Sequence, residues 1–333
     1  MRKHHDFFEI CETPELACQI TLQPIDRYAG LLDASIIFCD ILVIPKAMGM
    51  TIQMIEAKGP TFDDPLVTPK DIEKLKSKVD VKRELGYVME AITLTRRELN
   101  GRVPLFGFIG APWTLLAYMI EGGGSKTFTK AKGWLYKYPQ ETKDLLQRIT
   151  DIAIDFLAEQ VIAGAQVRVP FPFLVDSQKI VQVFDSWAGE LSPSDFATFS
   201  LPYLLQIPPK LHRLLETRGY YPSNPSVPTV VFAKGAWYAL EDLAKSDYNV
   251  ISLDWTHDPV QARKRVPNKV LQGNMDPNVL YGPQANITKE VERIVQGFGG
   301  GKGGYVVNLG HGITPVSLSY IQKSDLRVSI PRT

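Results

Sequence analysis

Short apolar runs alternate along this chain with longer segments of helical period. Seven runs have the length and the β-branched or aromatic content of buried strands: Ser35 to Val43, "VPLFGFIG", "VQVFDS", "TVVFAK", "NVISLDW", "KVLQGN" and "GYVVNLG". Between them, "KRELGYVMEAITLTRREL", the surroundings of Trp134 and the stretch from Gln140 to Gln160 carry the apolar spacing of helices. Strand and helix taking turns predict a parallel sheet with crossover helices, and strands this short and regular predict a (β/α)8 barrel of the TIM type. A closed barrel of that class has about eight strands, so the expectation is an incomplete one whose first strand is absent. No repeat and no linker divides the chain, which predicts a single domain over 1–333.

The first run contains "IIFCDILVIP", Ile36 to Pro45, which reads as a strand buried on both faces with a lone carboxylate, Asp40, inside it. An unpaired buried carboxylate is costly. Asp40 therefore calls for an ion pair with a basic residue on the next strand, or for hydrogen-bond donors brought by a ligand. In a parallel barrel, functional groups gather where strands end. Those ends here are Asp40, "GAPWT", Asp185 with Ser186, Lys234, Asp254 with Trp255, Asn274 with Asp276, and His311 in "NLGHG". Polar groups at every strand end predict a pocket.

Composition narrows the partners. The 333 residues are 44% hydrophobic and 22% charged with a formal net charge of +1, so no global field gathers nucleic acid or an anionic membrane. Cys11, Cys18 and Cys39 lack the spacing of a disulfide framework or zinc site, and no apolar run reaches signal or membrane-spanning length. The expectation is a cytosolic protein with no metal and no cofactor. "EGGGS" lacks dinucleotide-loop spacing, and "GGGKGG" has Gly303 where a phosphate loop needs Ser or Thr. His311, flanked by glycines, is free to donate to an anion. Tyr118 on its own reads first as a core aromatic with its hydroxyl on a neighbour, and Ser186 lacks the hydrolase elbow.

Taken together and in order, "IIFCDILVIPKAMGM", "GFIGAPWTLLAYMIEGGGS", "VVFAKG", "LDWT", "LQGNMDP" and "NLGHGITP" resemble the uroporphyrinogen decarboxylase family, over about Arg2 to Pro315. The resemblance implies a cofactor-free, cytosolic, homodimeric barrel that removes the four acetate carboxyls of uroporphyrinogen III as carbon dioxide, giving coproporphyrinogen III in haem biosynthesis. It further implies that Asp40 accepts hydrogen bonds from the pyrrole N–H groups, that Asp40 and Tyr118 serve catalysis, and that Arg2, Tyr118, Ser186 and His311 contact substrate.

Three features depart from the family pattern. The family has an upstream segment carrying two active-site arginines and a strand, and this chain starts after it. "VRVPFPFLVDSQK" at 167–179 interrupts a strand with two prolines and an aspartate. The tail at 316–333 does not match the family's closing helix. These departures predict weak or no turnover for the chain as written, with an inactive porphyrinogen-binding barrel or subunit partner as the alternative reading. A barrel methyltransferase ranks behind both, because such enzymes use thiolate and imidazole ligands at strand ends and the last cysteine is Cys39.

Overall fold

All seven apolar runs enter one parallel sheet. The computed structural model describes residues 4–55, 58–165, 180–220, 227–300 and 303–313; Arg2 and the segments 167–179 and 316–333 lie outside them. The strands are β1 (Ser35–Ile36), β4 (Leu105–Gly110), β5 (Ile180–Asp185), β6 (Thr229–Ala233), β7 (Val250–Ser252), β8 (Val270–Met275) and β9 (Tyr305–Leu309). Their spatial order follows chain order from β1 to β9, as right-handed crossovers through intervening helices dictate. The remaining two strands, β2 (Ile52–Ile55) and β3 (Gly59–Phe62), make a separate antiparallel hairpin that apolar periodicity did not indicate. Among the described residues β1 and β9 are free edges, so the sheet is an open, incomplete barrel.

Alternation divides each strand between two environments. Ile109, Val183, Val231, Ile251 and Leu271 are essentially inaccessible and face the crossover helices. On the concave face Phe108, Phe184 and Phe232 meet edge to face, with ring centres 5.7 and 6.0 Å apart. Beside them Gln272 donates to Gln182 at 3.4 Å and to Ser252 at 3.2 Å, which satisfies polar groups that alternation turns inward. Helices Pro139–Ala165 and Gly86–Leu99 back the first strands, and Pro259–Arg265 and Gln284–Gly297 the last. The "VQVF" run stays in the sheet: β5 is flanked by β4 and β6 in continuous register.

The first run departs from expectation. Only Ser35 and Ile36 form β1, and Ile37 adds one more hydrogen bond to Phe106 at 3.0 Å before the chain leaves the sheet. Two side chains distant in sequence cause this. Thr21 Oγ1, on helix Pro14–Arg27, accepts the Phe38 amide at 2.9 Å. Gln160 takes the vacated place beside β4, its carboxamide pairing with both the N–H and the C=O of Phe108 at 3.0 Å. The remainder of "IIFCDILVIP" turns into helix Val43–Ala47. Asp40 therefore lies in a loop beyond a strand end and not within a strand.

Gln160 is buried and satisfies two backbone groups for which the described residues offer no other partner. Gln160→Leu, which keeps the bulk and removes both bonds, is expected to destabilise the fold by about 2–4 kcal/mol, measured by denaturant unfolding. A loss below 0.5 kcal/mol, on the order of a neutral surface change, would show that β4 finds another partner.

Candidate active site at the strand ends

The parallel register brings the C-terminal ends of the strands to one level, with Gly110 beside Phe184, Asp185 beside Ala233, and Met275 beside Leu309. The loops that follow form the mouth of the incomplete barrel.

Asp40 is 6% exposed, and its Oδ2 has no hydrogen-bond partner among the described residues. Burial pushes its pKa up to about 6, against the Leu42 amide, the Lys46 charge and the Ile41 amide, which favour the ionised form. No basic side chain of the described residues pairs with it. Lys46 is hydrogen-bonded to Glu12, and its ammonium lies 5.4 Å from the centre of the Phe8 ring. The groups that feel the Asp40 charge are themselves neutral acids: burial pushes Cys11 up to about 12 and raises Cys39, Tyr87 and Tyr118. A carboxylate with one oxygen free in such surroundings is prepared to accept N–H donors or to face a cation.

Tyr118 sits on helix Pro112–Glu121, which starts directly after β4 with Pro112 in its first turn. Its ring meets the Trp187 ring edge-on at 5.9 Å, and Trp187 also tilts against Phe128 at 4.7 Å. Ser186 is the residue between Asp185 at the end of β5 and Trp187, and is half-buried. The structure thus brings Tyr118 to the loop that carries Ser186, within the electrostatic reach of Asp40. His311 stands apart, exposed beyond β9, at the opposite edge of the open sheet from β1. Its ring packs edge-on to Trp255 at 5.8 Å. Gly310 behind it allows close backbone packing: a Cβ there would lie 2.5 Å from the Trp255 backbone nitrogen.

Not every polar group at a strand end belongs to the mouth. Asp185 points to the helix side, fully buried, and accepts hydrogen bonds from Thr114 and Ser200 hydroxyls, each at 2.6 Å. Burial nevertheless holds its pKa up at about 6. Asp254 accepts the Gly235 amide at 2.6 Å and the Thr256 amide at 2.8 Å. Burial alone would raise its pKa, but these bonds and His257 hold it well below the usual carboxylate range. Asn274 donates to the Asp254 and His257 carbonyls at 2.8 Å. These three side chains pin the loops. Trp187, which organises the Tyr118 side of the mouth, was not singled out by sequence reasoning; an indole directly after two polar strand-end residues was the available signal. Among the described residues no group of three His, Cys, Asp or Glu converges as a metal site, and no helix is long and apolar enough to cross a membrane.

Comparison with known proteins gives this geometry a context. The family model described as uroporphyrinogen decarboxylase (URO-D) matches residues 1–318. Proteins named uroporphyrinogen decarboxylase from Schizosaccharomyces pombe, Salinibacter ruber and Homo sapiens are 52, 50 and 46% identical. The matches cover 95, 95 and 94% of this chain and 84, 82 and 80% of those proteins, respectively. A solved structure of a methyltransferase from Methanosarcina mazei superposes with a TM-score of 0.73 at 21% identity, covering 97% of this chain and 85% of that one. At that identity the likeness shows the fold alone.

Because its folded pKa is raised above the ordinary 3.8 to about 6, Asp40 lends stability while protonated and withdraws it as pH rises through 6. Asp40→Asn keeps the shape without the charge. Near pH 7.5 it is expected to be more stable than wild type by at most about 3 kcal/mol. Melting curves should show the gap closing as pH falls towards 4. A variant less stable at pH 7.5 would mean that the carboxylate is neutralised in the native protein.

Proposed function

The chain belongs to the uroporphyrinogen decarboxylase family, and on that premise we propose that it removes the four acetate carboxyls of uroporphyrinogen III as carbon dioxide, yielding coproporphyrinogen III. The observation that carries this reading is Asp40: a buried carboxylate at the barrel mouth, one oxygen unengaged among the described residues, and no counter-ion. A porphyrinogen offers four pyrrole N–H donors converging on one point. Charge-assisted bonds of that kind contribute about 1.5–3 kcal/mol each, enough together to offset the burial of the acid.

Loss of carbon dioxide from a pyrrole acetate needs an electron sink. Protonation of the pyrrole at carbon creates one, a cationic iminium-like ring; the C–C bond to the carboxylate breaks into it, releasing carbon dioxide and leaving a neutral exocyclic methylene. That methylene takes up a proton to become the methyl group while the ring carbon gives its added proton back and the pyrrole is restored. Asp40, fixed in place by the Ile41 and Leu42 amides, lies ready to stabilise that cation in a site of low polarity. Tyr118 remains a protonated phenol because burial raises its pKa, and serves as a donor to substrate with Ser186; His311 meets a substrate carboxylate at the rim. Arg2, assigned to the same substrate by resemblance, lies outside the described residues. Family membership also supports a single-domain, cofactor-free cytosolic enzyme acting as a homodimer, with no nucleic-acid or membrane partner. The fold shared with a methyltransferase carries no activity across.

The test is anaerobic incubation with uroporphyrinogen III, following stepwise carboxylate loss by chromatography of the oxidised porphyrins. Turnover that falls roughly 10²- to 10³-fold in Asp40→Ala supports the assignment, and folded wild-type protein that binds without turnover points to the inactive barrel. Since Asp40 must be ionised to act and its pKa lies at about 6, kcat/KM should rise with pH through 6 and level off above it. A profile flat from pH 5 to 8 would place the stabilising charge elsewhere.

A further inference from the structure

Phe232 faces the concave side of the sheet, so alternation brings Lys234, two residues on, to the same face at the mouth. The hydrogen bond from the Lys234 amide to the Asp185 carbonyl at 3.1 Å continues the ladder and sets Lys234 beside Ser186. The turns carrying the two residues are locked together. The Gly189 amide donates to the Lys234 carbonyl at 2.8 Å, and a Cβ on Gly189 would approach the Gly235 Cα to 2.8 Å. Only glycine permits that approach, which holds the Lys234 ammonium 4.8 Å from the centre of the Trp187 ring.

The ammonium is half-buried and has no ion-pair partner among the described residues. Two carboxylates act on it, Asp254 more strongly than Glu190, and both are engaged: Asp254 Oδ2 accepts from the Gly235 amide and Oδ1 from the Thr256 amide, and Glu190 Oε2 lies 4.0 Å from the Lys132 ammonium. Asp254 thus favours the charged lysine without holding it. A desolvated cation kept on an aromatic face, its neighbouring carboxylate saturated, is arranged for an anion that arrives from outside.

We propose that Lys234 is a substrate-binding residue whose ammonium pairs with one carboxylate of the porphyrinogen, beside Ser186. This rests on the decarboxylase reading of the mouth. The uncharged, similarly long Lys234→Met should raise KM for uroporphyrinogen III about 10- to 100-fold while kcat changes less than threefold, and Lys234→Arg should restore KM to within a few-fold of wild type. The same ratios should appear in Kd, read anaerobically from tryptophan fluorescence with coproporphyrinogen III, so the comparison does not depend on turnover. Lys234→Met that folds and keeps the wild-type KM and Kd overturns the proposal. Failure of Lys234→Met to fold overturns it too, since the ammonium would then be a structural prop for Trp187. Absence of both turnover and porphyrinogen binding in wild type would instead reject the decarboxylase reading.

Discussion

Burying a carboxylate with no counter-ion among the described residues is the constraint around which the mouth is organised. Asp40 reaches its position only because β1 stops after Ile36 and the chain turns away from the sheet. That turn leaves β4 with an unpaired N–H and C=O at Phe108, which the Gln160 carboxamide satisfies, and a free amide at Phe38, which Thr21 satisfies. Two hydrogen-bonding side chains on two different helices thus support the placement of one acid. The stability they confer offsets what the acid withdraws.

Three buried aspartates near strand ends show why solvation decides their roles. Asp254 receives two backbone amides and a threonine hydroxyl, and stays ionised well into acid. Asp185 receives the Ser200 and Thr114 hydroxyls and the Thr114 amide, and burial outweighs them. Asp40 receives the Ile41 and Leu42 amides on one side and nothing from the described residues on the other. The first two are spent on structure. The third keeps unsatisfied accepting capacity, which is what a site for a donor-rich ligand requires.

The alternation of strands and helices was legible because period-2 and period-3.6 patterns are local properties of the chain. All seven predicted strands join one sheet in chain order. The end of β1 was not legible, since "IIFCDILVIP" is equally apolar through its strand, loop and helix portions, and the groups that end the strand lie on distant segments. The β2–β3 hairpin was hidden by Pro60 and by a connecting sequence, "EAK", without a clear turn dipeptide. At the site, parity separates neighbours that residue type does not: Asp185 faces a helix, and alternation turns the adjacent Ser186 the other way. Trp187 escaped notice because its importance lies in its contacts with Tyr118, Phe128 and Lys234.

The distribution of cations completes the argument. Lys46 is near enough for Asp40 to feel its charge, yet it is hydrogen-bonded to Glu12, whose own charge opposes its effect on Asp40. Lys234 is held on the Trp187 face, where Asp254 and Glu190, and not Asp40, are the carboxylates that act on it. Had either ammonium closed on Asp40, the acid would be a structural ion pair, stable and chemically inert. Keeping the anion central and the cation on an aromatic wall leaves acceptor and donor both unpaid and spatially distinct. A flat or bowl-shaped ligand with N–H donors at its centre and carboxylates at its rim matches that division, whereas a ligand with the opposite arrangement would set like charges against each other.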